Sequence, residues 1–231
     1  MNDDWSHVVW SDDMLRDECY RFSDACGRVY DAYQLMHQKI DLGRYVVVCR
    51  YGGISLDADA TCLRPLRELP FPKDKIMVTL LDLNWIERLF WHPLNNATIY
   101  APYPYHPSMV RLVNAIVDRG HRSDLANQAW RINQTTGPLA FQDIVLQLPD
   151  VEMAPGPLFE PCVLRDCNPS AQTFVQHRHT GTWLGGILGP LCMAYGKLRP
   201  HVRTFGWVIV VTLFLVVLRF CIRVVSQHHP Q

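Results

Sequence analysis

The sequence predicts an α/β chain followed by one apolar C-terminal helix. Three observations predict it: short β-branched and aromatic runs alternate with segments of helical periodicity, Gly and Pro clusters punctuate them, and the chain ends on a long uncharged stretch. At 231 residues it is long enough for one domain with a sizeable core. Lys plus Arg equal Asp plus Glu at 22 each, without long basic runs, so nucleic acid is not expected as a partner.

Residues 5–10 combine Trp5, Val8, Val9 and Trp10 and read as a strand, after which Ser11 and the acidic residues behind it read as a helix start. Residues 36–50 read as a helix with Asp41, Arg44 and Val48 on one side and Leu42, Tyr45, Val46 and Cys49 on others, stopped by Gly52-Gly53. A short strand over 54–56 then delivers Asp57 and Asp59 at the carboxyl edge of a sheet, where open α/β architectures bind ligands. Further along, 76–83 reads as a strand and 93–107 as a loop with some extended backbone. Met109, Leu112, Val113, Ile116 and Val117 recur at helical spacing between Pro107 and Gly120, the clearest amphipathic helix of the chain. Gly137-Pro138 opens a helix over 139–148, and 149–169 is Pro-rich and reads as irregular.

The N-terminus is acidic and carries no signal-like apolar core, so either entry into a membrane is through the other end or a leader is missing. Residues 205–225 contain only Arg219 and Arg223 as charges and as a helix would span roughly 30 Å, about one hydrocarbon core. Arg219 lies in the last third, where its stem can snorkel to the headgroups. The expected organisation is a catalytic domain over 1–182, a connector over 183–204, a transmembrane helix over 205–225 and a tail over 226–231, with basic flanks too balanced to fix the orientation. Eight scattered cysteines form no CxxC pair; Cys162 and Cys167 are near enough in sequence for a disulfide, and two free thiols are the alternative.

The sharpest local signal is Gly52-Gly53-Ile54-Ser55-Leu56-Asp57-Ala58-Asp59. On a regular strand two carboxylates two residues apart face the same way and can converge on one hard cation, Mn²⁺ or Mg²⁺. An isolated D-x-D is weak evidence, and its bland reading is an exposed turn. The same residues with Thr61 also fit the Asp-x-Asp-x-Thr of haloacid-dehalogenase-type phosphatases, but that chemistry wants a longer apolar strand and a late acidic pair that the chain lacks.

The run Met36-His37-Gln38-Lys39-Ile40-Asp41-Leu42-Gly43-Arg44-Tyr45, continuing through Tyr51-Gly52-Gly53 to Asp57-Ala58-Asp59 and Cys62-Leu63-Arg64-Pro65-Leu66, resembles the sugar-binding region of glycosyltransferase family 32. That family includes fungal mannosyltransferases and the inositol-phosphoceramide mannosyltransferases. Weaker likeness extends to Asn96 through His106-Pro107, to Thr136-Gly137-Pro138, and to His177 through Gly181-Thr182-Trp183. The resemblance implies a GT-A-like, Rossmann-like nucleotide-sugar domain that retains anomeric configuration. It implies Asp57 and Asp59 as catalytic metal and diphosphate binders and His177 as a further metal ligand. Donor contacts are expected from Asp41, Arg44, Tyr51, Gly52, Gly53 and Trp183.

The implied cofactor is Mn²⁺ or Mg²⁺; the implied partners are a nucleotide-sugar donor, with GDP-mannose favoured, and a lipid or glycoprotein acceptor. The implied setting is the Golgi or ER membrane with the domain in the lumen, where Asn96-Ala97-Thr98 and Asn133-Gln134-Thr135 are glycosylation sequons. The family opens on an earlier strand with an Ile-Pro-Lys-Ile-Ile-His-like motif, and this chain starts after it, so the domain is expected to lack its first strand. Ser55 stands where the family has Tyr, and Gly181-Thr182-Trp183 where Gly-Ser-Trp is common. A competing reading is a membrane protein that keeps the fold as a binding surface without catalysis.

Overall fold

The computed structural model describes residues 2–84, 87–90, 93–121, 127–160, 162–163, 166–178, 194–199, 201, 206, 208, 211–212 and 215–216. Two short helices open the fold, α1 (Asp12–Phe22) and α2 (Asp24–Ala32), capped by the side chains of Ser11 and Ser23, which accept from the backbone N–H groups of Met14 and Cys26. Next comes α3 (Met36–Tyr51), buried over most of its circumference and so the central helix. The chain continues as β1 (Gly53–Leu56), β2 (Ala60–Cys62), a 3₁₀ turn at Leu66–Glu68, β3 (Ile76–Leu80), α4 (Glu87–Phe90) and β4 (Leu94–Ala101). Then follow α5 (Pro107–Arg119), α6 (Gln128–Thr135), α7 (Pro138–Val145), β5 (Val151–Ala154), α8 (Gly156–Phe159), β6 (Cys162–Val163), β7 (Asp166–Cys167) and β8 (Val175–His177).

The main sheet is four-stranded in the order β1-β4-β3-β5. It is mixed: β4 runs antiparallel to both β1 and β3, while β3 and β5 are parallel. Its two faces bury different clusters, as the period of two requires. Ile76, Val78, Ile99 and Ala101 point into the larger core with Leu42, Tyr45, Val46, Met109, Leu112, Ile116 and Phe141. Met77 faces the smaller cluster of Leu66, Phe159, Phe174 and Val175, joined by Ile54, Leu56 and Tyr100.

The α/β class and the helices read at 36–50 and 107–120 are present in the structure. Other elements differ. Residues 5–10 are not a strand: Trp5 packs on Phe71 and Trp10 on Tyr51, so this segment is anchored by its rings rather than by a ladder. The segment read as loop after Pro93 holds β4, which runs between β1 and β3 and buries both faces. Its Asn95 and Asn96 gave a polar signature that concealed a central strand. The strand read at 76–83 ends at Leu80, the helix read at 139–148 ends at Val145, and the stretch read as irregular contains β5, α8, β6 and β7. Cys162 and Cys167 are joined in a disulfide across the β6–β7 pair.

The predicted connector and transmembrane helix fall largely outside the described residues, as do the tail and Trp183. Among the described residues no helix is long and apolar enough to cross a membrane. Arg199, within the expected connector, is 1% exposed and held by Glu87.

Gly52 turns α3 into β1. Its φ of 69° with ψ of −162° suits glycine alone, and an added Cβ would lie 3.1 Å from the Tyr103 carbonyl carbon. Gly52→Ala is expected to cost about 2 kcal/mol in urea denaturation; a loss below about 0.5 kcal/mol, the range of neutral surface changes, would show that this turn relaxes freely.

Candidate active site

The turn after β1 and the pairing of β2 with β8 build the site. Asp57 and Asp59 are not on a regular strand, as the sequence suggested; they sit in a tight turn closed by the Ala60 N–H donating to the Asp57 carbonyl at 2.9 Å. Their convergence has another cause. Because Ala60 pairs with His177, Thr61 with Gln176 and Cys62 with Val175, the ladder carries His177 to the mouth of that turn. There His177 Nε2 lies 3.2 Å from Asp57 Oδ2 and 3.0 Å from Asp59 Oδ1. Among the described residues, Asp57, Asp59 and His177 place one ligand atom each within 4.8 Å of one another. Two carboxylate oxygens and an imidazole nitrogen suit a divalent ion of the Mn²⁺ type, so the residues fit the metal that the family implies.

A second set of side chains adjoins this one. Register between β1 and β4 puts Leu56 opposite Thr98, so the following Asp57 falls beside Asn96 and the α3 residues beneath it. Arg44 donates to Asp57 and, at 2.6 Å, to the Asn96 carbonyl. Asp41 accepts from the Asn96 side-chain amide at 2.8 Å and from the Thr136 hydroxyl at 3.0 Å. Tyr45 donates to the Thr136 carbonyl at 2.6 Å and accepts from Asn96 at 2.8 Å. The spacing of Asp41, Arg44 and Tyr45 on one helix thus becomes a wall of fixed polar groups beside the Asp57–Asp59 turn.

Burial raises the Asp41 carboxyl to about 7, helped by the negative charge of Asp57 and only partly opposed by Arg44, Thr136 and Asn96. For Asp57 burial also disfavours the charge, but Arg44 and His177 outweigh it and hold the carboxyl below its ordinary value. Burial likewise opposes the charged His177, yet hydrogen bonds to Asp57 and Glu160 raise it to about 10. One residue of the set is new to the structure: Glu160, fully buried, takes a 2.9 Å contact from His177 Nδ1.

The remaining expected donor contacts lie elsewhere. Tyr51, Gly52 and Gly53 are at the opposite end of β1 from Asp57, where Tyr51 is exposed and packs against Trp10 and Arg50. Trp183 lies outside the described residues. The Asn96 sequon is corrected: Asn96 is 5% exposed and its amide nitrogen is engaged by Asp41 and Tyr45, so it cannot present itself for glycosylation in the folded domain. The phosphatase alternative also loses its footing. Its nucleophile belongs at the end of a central strand, and β1 is an edge strand paired antiparallel to β4.

Residues 1–77 match the family described as glycosyltransferase sugar-binding region containing DXD motif. Inositol phosphoceramide mannosyltransferase 3 of Schizosaccharomyces pombe is 32% identical over 69 residues, covering 30% of this chain and 19% of that protein. Inositol phosphoceramide mannosyltransferase 1 of the same yeast is 22% identical over 118 residues, covering 51% of this chain and 34% of its own length. The matched stretches therefore span 19% and 34% of these two relatives. An uncharacterized glycosyltransferase of Acanthamoeba polyphaga mimivirus is 23% identical over 194 residues, 79% of this chain and 72% of that one. Among solved structures, PaToxG Glycosyltransferase covers 56% of this chain and 40% of its own at 18% identity with a TM-score of 0.38, too distant to bear on mechanism. The D-x-D turn lies inside the matched sugar-binding region, and the chain is similar over that region to glycosyltransferases of the family 32 type.

Proposed function

We propose that this chain forms the donor-binding domain of a metal-dependent, retaining glycosyltransferase with a GT-A-like core. The reaction moves mannose from GDP-mannose to a lipid or glycan acceptor at a membrane. One observation carries the reading: the β2–β8 ladder brings His177 onto Asp57 and Asp59, next to the Asp41–Arg44 wall, and the two aspartates and that wall lie within the matched sugar-binding region. Asp57, Asp59 and His177 hold the divalent ion, which neutralises the diphosphate that builds up as the glycosidic bond breaks. Arg44 fixes Asp57 and adds positive charge on that side. Asp41, held by Asn96 and Thr136, orients the sugar hydroxyls. GDP-mannose is favoured by the names of the two yeast relatives.

The membrane setting is supported by Val208, Val211, Leu215 and Val216, helical positions that each expose half or more of their apolar surface. A lumenal domain is supported by the Cys162–Cys167 disulfide, a bond that persists in oxidising compartments.

The test is donor hydrolysis with GDP-mannose, UDP-galactose and UDP-glucose, each with and without Mn²⁺. Manganese-dependent release of mannose alone is the expected result. No hydrolysis of any donor, with no calorimetric binding of donor plus Mn²⁺, overturns the reading in favour of a non-catalytic relative.

Proton linkage gives an independent check. His177 ligates only as the neutral imidazole, and without metal its protonated form persists to about pH 10. Mn²⁺ affinity is therefore expected to rise about tenfold per pH unit between pH 6.5 and 9, one proton leaving Nε2 per ion bound. The stabilising contribution of the protonated ring to the metal-free fold has the opposite trend: full below pH 6.5, lost as pH rises through about 10. A pH-independent affinity, measured by titration calorimetry, would remove His177 from the ligand set.

A further inference from the structure

We propose that Glu160 is a positioning residue for the divalent-metal centre, acting through His177: its buried carboxylate accepts a hydrogen bond from Nδ1–H and thereby turns Nε2 toward Asp57 and Asp59. This inference rests on the metal-site reading above and adds a residue that neither the motif nor the matched region contains.

The geometry is closed on every side that matters. Glu160 is 0% exposed and His177 5%. Glu160 Oε2 is 2.9 Å from His177 Nδ1, and Nε2 of the same ring is the atom that faces the two aspartates. An ionised carboxylate has no proton to give, so its presence dictates which ring nitrogen carries one; a glutamine or a water would leave that choice open. Its other oxygen, Oε1, is approached at 3.5 Å by the hydroxyls of Thr79 and Thr98, on the neighbouring strands β3 and β4. The sheet therefore holds the carboxylate rather than a loop.

How Glu160 reaches that place follows from Gly156. It begins α8 against the end of β3, where an added Cβ would lie 2.6 Å from the Asp82 nitrogen and 2.7 Å from the Leu80 oxygen. This close approach of the helix to the strand seats Glu160, the residue capping its far end, beneath the sheet; its N–H donates to the Gly156 carbonyl at 2.6 Å. A buried carboxylate costs several kcal/mol unless it is paired. Hydrophobic residues fill such positions more stably, so a purely structural role does not account for an acid held against Nδ1 of a ring whose Nε2 faces the two aspartates.

The experiment measures Mn²⁺ affinity by titration calorimetry on the full chain for wild type, Glu160→Gln, His177→Ala and the double variant. Glu160→Gln is expected to bind Mn²⁺ about 10- to 100-fold more weakly, the range seen when partners of ligating histidines are removed. The double variant is expected to bind no more weakly than His177→Ala alone, because Glu160 acts on the ion through His177. Equal binding by wild type and Glu160→Gln overturns the role, as does a double variant whose loss is the product of the two single losses.

A second measurement needs no substitution. In ¹⁵N spectra of Mg²⁺-saturated wild type, His177 is expected to be protonated at Nδ1 and bare at Nε2; the reverse assignment also overturns the proposal. Wild-type protein that takes up neither ion removes the metal-site reading and this role together. That outcome is distinct from an ion-binding wild type matched by its Glu160→Gln variant.

Discussion

Asp59→Asn and Asp57→Asn are each expected to lower sugar transfer by about 10³-fold or more while the protein stays folded. Each removes a full negative charge from the cation site and leaves a neutral oxygen in its place. Losing one preorganised electrostatic partner of a developing charge already costs about 10²–10³-fold, and here the ion itself is weakened. The two variants differ in what else they disturb. Asp59 is half-buried and faces His177, so Asp59→Asn should leave the thermal midpoint within about 2 °C. Asp57 also receives Arg44, and the asparagine oxygen keeps that partner where alanine would strand a guanidinium in the cleft wall. Donor hydrolysis and Mn²⁺ titration on the two variants check this, and undiminished activity in both ends the metal-dependent reading.

The second large effect is on stability. Glu87→Ala is expected to cost about 3–5 kcal/mol, which in a domain of this size lowers the midpoint by roughly 10 °C. Arg199 is bound to Glu87 through both carboxylate oxygens, at 2.6 and 3.0 Å, and donates to the Asp82 carbonyl at 2.5 Å; Tyr195 adds a 3.0 Å hydrogen bond. With both charges at 3% exposure or less, removing the acid takes from a buried cation the carboxylate that holds it through both oxygens. Replacing both partners, Glu87→Leu with Arg199→Met, should recover most of the loss, because the desolvation of both charges disappears with the pair. Differential scanning calorimetry distinguishes the cases: a single variant as stable as wild type would show that the clamp between the 194–199 segment and the domain contributes little.

What could be read from the amino-acid order follows the range of the forces involved. α5 was legible because Met109, Leu112, Val113 and Ile116 repeat at helical spacing and all four are buried. The cap at Ser11 and the stop at Gly52 were legible because each is decided within a few residues. β4 was not: proline flanks and paired asparagines conceal a strand whose neighbours come from distant parts of the chain. The same divide runs through the site. Asp57 and Asp59 stand out locally, and Asp41 and Arg44 gained meaning from the resemblance around them. Thr136 and Glu160 received no role and Asn96 only that of a sequon, because each acts through a partner that only folding brings near.

The β2–β8 ladder also sets when the centre can exist. Its acidic half is synthesised well before its imidazole, so during translation the candidate cation site stays incomplete until β8 has left the ribosome. An ion captured at that point would act as a rivet between early and late sequence, coupling completion of the domain to its competence for chemistry.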